Sequence, residues 1–493
     1  MSNVGATKPR HHTRVSSSFS NAEVERDIID KAAMEEPLSV ENLLKEMNEL
    51  FIQKHQKSLP KSISSSIEKM VSRAESSEGA TRALDTFSKQ MSEKNLVKIV
   101  SADVPAGILP PGHTGILHDT KVSGWAPDDE IYSEHPNIRR MIPRGTTIMN
   151  LDGSVSWFDV VLYANKKFTG GVGDEDDSQP ANNDLWKDFF LQDPDTADQV
   201  VCMTKINGKA AHFSGRYILG HFYVVAGSKN VHMLMRERKD IDLYAGDRYT
   251  IARLVAESLW DTLQSLDKRC FRVLCSLLHH TKCTAVCEIL QPDNQHIVNN
   301  SDLEKNQLYI ISFTPTVGEE ETSLLAMPPH HSLDLISALG CIFPLYSTVA
   351  ANDVLEHRNK VRKELYKEGE VMYFLNKKEE TIGLVKTKTT WYIMMRALRE
   401  KTVYCFIPAK KRSNWDLQDC IKMIYRRFGH IQEWLKFSDS YLLSWKKLGE
   451  TFLQWMDSKI QEKKVEESSI RPKFPKIWHE FLSETGHRDD LIP

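Results

Sequence analysis

Val200-Val201-Cys202-Met203-Thr204-Lys205-Ile206-Asn207-Gly208 is the stretch on which the fold and the chemistry turn. Val200, Val201 and Met203 lead up to Thr204 as a strand, and Asn-Gly is the strongest two-residue turn signal. The segment therefore delivers one lysine, Lys205, to a strand end just before the chain reverses. A surface lysine before a turn is the ordinary product of such a string. The chemical alternative is a neutral ε-amine that attacks a phosphorus atom, and it needs company. Further cations must lower the amine's pKa and hold the departing phosphates, and carboxylates must hold a metal or a ribose.

Those neighbours follow downstream. Tyr366-Lys367-Glu368-Gly369-Glu370-Val371 runs into the apolar Met372, Tyr373 and Phe374, so Glu368 stands where a strand begins. Lys386 and Lys388 then alternate in Leu384-Val385-Lys386-Thr387-Lys388, with Trp391-Tyr392 close behind. In a strand those two lysines share a face. Like charges on one face repel unless an anion lies between them, although lysines also guard solvated edge strands.

Taken together, Lys205-x-Asn207-Gly208, Glu368-Gly369-x-Val371 and Lys386-x-Lys388 resemble the motif series of bacteriophage-type ATP-dependent RNA ligases of the covalent nucleotidyltransferase superfamily, in the tRNA-repair branch. Three further segments resemble that family. They are Arg144-Gly145 with the later Lys167-Phe168, then Gly227-Ser228-Lys229-Asn230, then Thr284-Ala285-Val286-Cys287-Glu288-Ile289-Leu290. Cys287 stands where the family prefers an aromatic residue, and Gln295-His296 replaces an arginine-containing end. The resemblance spans roughly residues 140 to 395 and implies roles. Lys205 becomes lysyl-AMP. Arg144 and Lys167 hold the triphosphate, and Lys229 lies near the substrate phosphates. Asn207 and Gly208 complete the nucleotide site, Glu288 contacts the ribose, Glu368 holds a divalent metal, and Lys386 with Lys388 contact the α-phosphate.

Around these motifs the texture of the chain changes twice. Residues 1–95 are polar and Ser-rich, with one helical pattern at Leu43, Met47, Leu50 and Phe51, and read as a partly disordered or helical appendage. Lys8, Arg10 and Arg14, with no acidic residue before Glu23, make the first residues weakly transit-peptide-like. From about residue 96, apolar runs such as Trp157–Leu162, Tyr217–Val225, Gln307–Phe313 and Glu370–Phe374 alternate with helical stretches such as Tyr249–Leu266, and the acidic, Gly-rich stretch from Gly170 to Asn183 reads as a loop. This predicts an α+β domain over residues 96–400, and the resemblance implies that it is an adenylyltransferase domain of antiparallel sheets. Beyond it, Ile421, Ile424, Tyr425, Phe428, Ile431, Trp434 and Leu435 share one helical face, and Leu442, Trp445, Leu448, Phe452 and Trp455 another. A helical C-terminal domain over 401–493 is expected.

With a net charge of −3 on 493 residues, any nucleic-acid surface must be local. Eight cysteines without a secretory signal point to free thiols and an intracellular protein, cytoplasmic or nuclear. The longest uncharged run, Leu335 to Ala351, contains Pro344 and falls short of the roughly 20 apolar residues of a membrane span. Cys270, Cys275, His279, His280, Cys283 and Cys287 crowd together but contain no Cys-x-x-Cys pair and read as core, not zinc. Pro328-Pro329-His330-His331 reads as a loop before a helix starting at Leu333. The expected activity is RNA repair by sealing of a 5′-phosphate to a 3′-end with ATP and Mg2+, or Mn2+ in its place. RNA, with tRNA as one candidate, and separate end-healing enzymes are the expected partners, because no Gly-x-x-x-x-Gly-Lys-Ser/Thr loop for a 5′-kinase occurs. Two alternatives remain open on sequence: a capping-type or other nucleotidyltransferase using the same lysine, and a catalytically silent RNA-binding scaffold.

Overall fold

The computed structural model describes residues 36–124, 126–175, 179–180, 182–318, 321–406 and 416–491. The basic segment containing Lys8, Arg10 and Arg14 lies outside them. Three sheets carry the fold. β1 (Val97–Asp103), β2 (Thr114–Val122), β3 (Thr146–Asp152) and β4 (Trp157–Tyr163) follow one another in a meander. β6 (Lys209–Ile218), β7 (His221–Ser228), β8 (His232–Met235), β9 (Thr284–Leu290) and β10 (Gln307–Thr314) pair in the order β10-β9-β6-β7-β8. β5 (Gln199–Thr204), β11 (Tyr346–Ala350), β12 (Gly369–Leu375) and β13 (Thr381–Lys388) pair in the order β11-β5-β12-β13. All pairings between these strands are antiparallel. The architecture is α+β.

β5 explains its own composition. Val201 and Met203 enter the main core, whereas Val200 and Cys202 enter a smaller one with Met372, Phe374 and Ile382. A strand covered on both faces is apolar without alternation, as this one is. Because β5 and β6 belong to different sheets, residues 205–208 are the crossover between them. At Gly208 a Cβ would lie 2.2 Å from the Ile289 carbonyl oxygen of the next sheet, so the crossover can pass only without a side chain.

The apolar run Tyr217–Val225 is two strands, not one. Leu219 and Gly220 both take positive φ (52° and 78°) and turn β6 into β7. Both flanking strands are buried, so hydrophobicity runs on through the turn, and Leu gives none of the usual turn signal.

Helices fill the outer faces. The pattern at Leu43, Met47, Leu50 and Phe51 is α1 (Val40–His55), followed by α2 (Lys61–Glu75) and α3 (Ser77–Glu93). Their buried sides are part of the molecule's cores. α1 and α2 pack on α7 (Lys268–Thr281), α1 also on α8 (Pro329–Ala338), and α3 on β1 and β4. His330 and His331 therefore sit in the first turn of α8, where Pro329 starts the helix, and not in a preceding loop. Cys270, Cys275, Cys283 and Cys287 are all buried in the main core on α7, β9 and the turn between them. No helix among the described residues is long and apolar enough to cross a membrane.

α10 (Thr390–Phe406), α11 (Leu417–Leu435), α12 (Asp439–Gln461) and α13 (Ile470–Thr485) enclose a separate core of Trp391, Met394, Ile424, Phe428, Trp445, Phe452 and Phe481. The first of these helices begins at Thr390, just after β13, and Ile297 from outside them joins the core. α10 is buried nearly all round, so it shows little amphipathic period. Phe452 is fully buried with its ring 5.2 Å from that of Phe481 and 5.0 Å from that of Trp478. Phe452→Ala is expected to cost about 3–5 kcal/mol in chemical denaturation, as for other large aromatic deletions in packed cores. A loss below about 1 kcal/mol would show that this cluster is loosely packed.

Candidate active site

Where the three sheets meet they enclose a cleft of about 680 Å³. Lys205, Arg144, Lys167, Asn207, Gly208, Lys229, Glu288, Glu368, Lys386 and Lys388 all line it. They come from strand ends: Arg144 precedes β3, Lys167 follows β4, Lys205 follows β5, Lys229 follows β7, and Glu368 precedes β12. Glu288 lies on β9, and Lys386 and Lys388 on β13.

At the floor, Lys205 Nζ lies 3.0 Å from Glu368 Oε1. Its backbone N–H donates to the Gly369 carbonyl at 2.8 Å, which ties the lysine to the strand that carries the carboxylate. Gly369 has φ +136°, and a Cβ there would lie 2.0 Å from the Thr387 carbonyl oxygen, so Glu-Gly is a geometric requirement of this turn. Asn207 Nδ2 donates to Glu368 Oε2 (2.6 Å) and to the Tyr392 hydroxyl (3.1 Å), while its Oδ1 accepts from the N–H groups of Ile297 and Val298 (2.9 and 3.0 Å). Its side chain is thus engaged by protein at both ends. Asn207 thereby positions Glu368 and the 297–298 loop. Glu288 accepts from the Gly208 N–H at 3.2 Å. Burial pushes its carboxyl up to about 7, against the pull of Lys205 and with the help of Glu368.

The other end of the cleft is a chain of alternating charges. Lys229 pairs with Asp128 (2.6 Å), Asp128 with Arg144 (3.6 Å), Arg144 with Asp129 (2.7 Å), Asp129 with Lys167 (2.6 Å), Lys167 with Glu175 (3.4 Å), and Glu175 with Lys386 (2.7 Å). Burial, assisted by Lys386, brings the Lys167 ammonium down to about 8, with Glu175 and Asp129 opposing. Burial alone would raise Glu175, but Lys386 and Lys167 outweigh it and hold the carboxyl below the usual range. Asp128 is likewise held low against burial, chiefly by Lys229.

Asp128 and Asp129 open α4 (Asp128–Glu134), and Glu175 comes from the acidic, Gly-rich loop. That loop turns inward at its start. Thr169 forms a parallel bridge with Val385 of β13. Asp174, fully buried, takes two 2.6 Å bonds from Arg362 and one of 2.8 Å from the Lys388 backbone N–H. The Lys388 ammonium itself lies 5.6 Å from the centre of the Tyr392 ring. The three carboxylates of the anion end and Tyr392 are the site residues that motif reading passed over or left without a role. The one local signal for Glu175 was the acidic loop. Asp128 and Asp129 carried none.

The oxygen donors of Glu368 and Glu288 suit a hard divalent cation, which prefers carboxylates and water. Two histidine-containing clusters, Cys202–His357–Glu370 and His330–His331–Glu379, also converge among the described residues, and none of their members lines the cleft.

A family described as "Domain of unknown function (DUF7920)" matches residues 191–399, a span that contains Lys205, Glu288, Glu368, Lys386 and Lys388 but not Arg144 or Lys167. No curated protein matches the chain. Among solved structures, it is similar to an RNA ligase of Naegleria gruberi, a lysine-to-alanine mutant with ATP and Mn, at 10% identity and a TM-score of 0.27, covering 60% of this chain and 98% of that one.

Glu288 makes a testable contribution to pH dependence. Its folded pKa is raised, so the folded protein keeps a proton that the unfolded chain has already lost between its ordinary value and about 7. Stability from this group is therefore fully present at low pH and is lost as pH rises through about 7. In melting scans, Glu288→Gln should gain on the wild type progressively from pH 5 to 7 and hold a constant advantage above. A difference independent of pH would show that the carboxyl ionises normally.

Proposed function

We propose that the chain is an ATP-dependent RNA ligase in which Lys205 is the adenylyl acceptor. The observation that carries this reading is convergence. Ten residues chosen from scattered motifs between Arg144 and Lys388 line one cleft, with a single lysine beside two carboxylates at one end and a row of cations at the other. A scaffold that only held RNA would need the cations, but not a lysine clamped 3.0 Å from a buried carboxylate.

In the first step the Lys205 amine attacks the α-phosphorus of ATP. An N–P bond forms, the bond to the bridging oxygen breaks, and pyrophosphate leaves. The ammonium must lose its proton before attack, and Glu368 Oε1 is the group in reach to receive it. Lys386 and Lys388 neutralise the α-phosphate, Arg144, Lys167 and Lys229 receive the β- and γ-phosphates, and Glu288 accepts hydrogen bonds from the ribose. Asn207 keeps Glu368 aligned. A divalent cation held by Glu368, Mg2+ or Mn2+, supplies further charge neutralisation when bound. The adenylyl group then passes to an RNA 5′-phosphate, and attack by a 3′-hydroxyl joins the ends and releases AMP. Each transfer is in line, so positioning and electrostatics supply most of the rate.

The C-terminal helices are suited to hold the RNA. Arg427 lies over the Trp434 ring at 4.8 Å and Lys446 over Tyr425 at 5.5 Å, which places cations on aromatic faces at the surface of α11 and α12. A tRNA is one substrate of suitable size, and 5′-hydroxyl ends would need a separate kinase.

Incubation with labelled ATP, and separately GTP, followed by denaturing electrophoresis tests the proposal. A covalent adduct with ATP is expected for the wild type, none for Lys205→Ala or Lys205→Arg, and a loss of at least about a hundredfold in rate for Lys386→Ala and Lys388→Ala. An undiminished adduct in Lys205→Ala overturns the assignment, and an adduct with GTP alone transfers it to a capping-type enzyme. Purified protein should join 5′-phosphate RNA and leave 5′-hydroxyl RNA unjoined.

A further inference from the structure

The four cations at the anion end of the cleft are already matched by the protein's own carboxylates. Lys229, Arg144, Lys167 and Lys386 alternate with Asp128, Asp129 and Glu175, so the row carries a net charge of only one positive. The carboxylates are built into this position. Glu175 also accepts from the Gly170 N–H at 3.2 Å and from the Thr169 hydroxyl, and the neighbouring Asp174 anchors the same loop to Arg362. Evolution of a simple phosphate cradle would have no need to neutralise it from two separate elements.

We infer that Asp128, Asp129 and Glu175 form a charge filter, which admits an extended polyphosphate to the cation row and rejects single phosphate groups. A lone phosphate contacts one or two cations at a time. To do so it must either sit beside a carboxylate that repels it or strip that carboxylate of its partners, and Glu175 is buried and cannot recover solvation. A triphosphate meets the same cost but can lie along the row and engage all four cations together, so its gain exceeds the loss. Specificity arises from a built-in repulsive element as much as from attraction. The filter keeps an RNA phosphate out of the row and leaves it to dock nearer Lys205. After transfer, the carboxylates compete for the same cations and help expel pyrophosphate.

The inference rests on the adenylyl-transfer reading only for the identity of the polyphosphate as a nucleotide tail. It is tested on the full-length protein by calorimetric titration with inorganic phosphate, pyrophosphate and tripolyphosphate, without nucleotide or metal and at fixed ionic strength. The variants are Glu175→Gln and, as a half-exposed alternative should the first not fold, Asp128→Asn. The wild type should bind tripolyphosphate at least about a hundredfold more tightly than phosphate, and each variant should tighten phosphate by about tenfold and so narrow the ratio. Unchanged or weaker phosphate binding in a folded variant overturns the filter, because the carboxylates then only hold the cations in place. Adduct formation with ATP is measured in parallel. A narrowed ratio without any adduct supports the filter and removes the ligase reading. An adduct with an unchanged ratio does the reverse.

Discussion

Gathering eight lysines and arginines around one cleft costs Coulomb repulsion in a medium less polar than water, and ion pairs with the protein's own carboxylates meet that cost for at least five of them. Lys205 is met by Glu368, Lys386 and Lys167 by Glu175, and Arg144 and Lys229 by the aspartates that open α4. Three of these pairings, Lys205–Glu368, Lys386–Glu175 and Lys229–Asp128, cross between elements distant in sequence. The charged cleft is therefore held as a unit by the same ion pairs that keep its cations from driving the sheets apart.

The backbone makes this possible by bringing mainly strand ends to the cleft, with Glu288 and Lys386 reaching it from within β9 and β13. A strand interior would bury its lysines among apolar neighbours, whereas an end lets the chain turn away while the side chain points inward. The crossover at residues 205–208 is one such tight place, since Gly208 passes against the Ile289 carbonyl while Asn207 bridges Glu368, Tyr392 and the 297–298 loop. This couples the lysine to three separate parts of the chain. Small shifts in any of them reach the Lys205–Glu368 pair.

Much of this was legible in the chain itself. Lys205 at a strand end, the Glu-Gly turn before β12 and the paired lysines of β13 are local patterns, and local patterns survive in a one-dimensional reading. The α+β class and the helical end followed from periodicity for the same reason. What could not be read was long-range compensation. Glu175 meets Lys386 across 211 residues, and Lys229 meets Asp128 across 101, and no spacing rule links them. The four partners of the Asn207 side chain are likewise tertiary and left no local trace. The β6–β7 turn at Leu219–Gly220 was hidden by burial on both sides, and helix α10 by its all-round burial.

On the proposed reading, Lys205 is chemically different from the other lysines of this cleft. Peptide mapping by mass spectrometry measures it most directly. The full-length protein is incubated with ATP and a divalent cation, then denatured and digested above neutral pH, because a phosphoramidate hydrolyses in acid. One adenylyl group per chain, on Lys205, is expected. An adenylyl group on Lys167, Lys386 or Lys388 in its place, or a chain that stays unmodified, would contradict it.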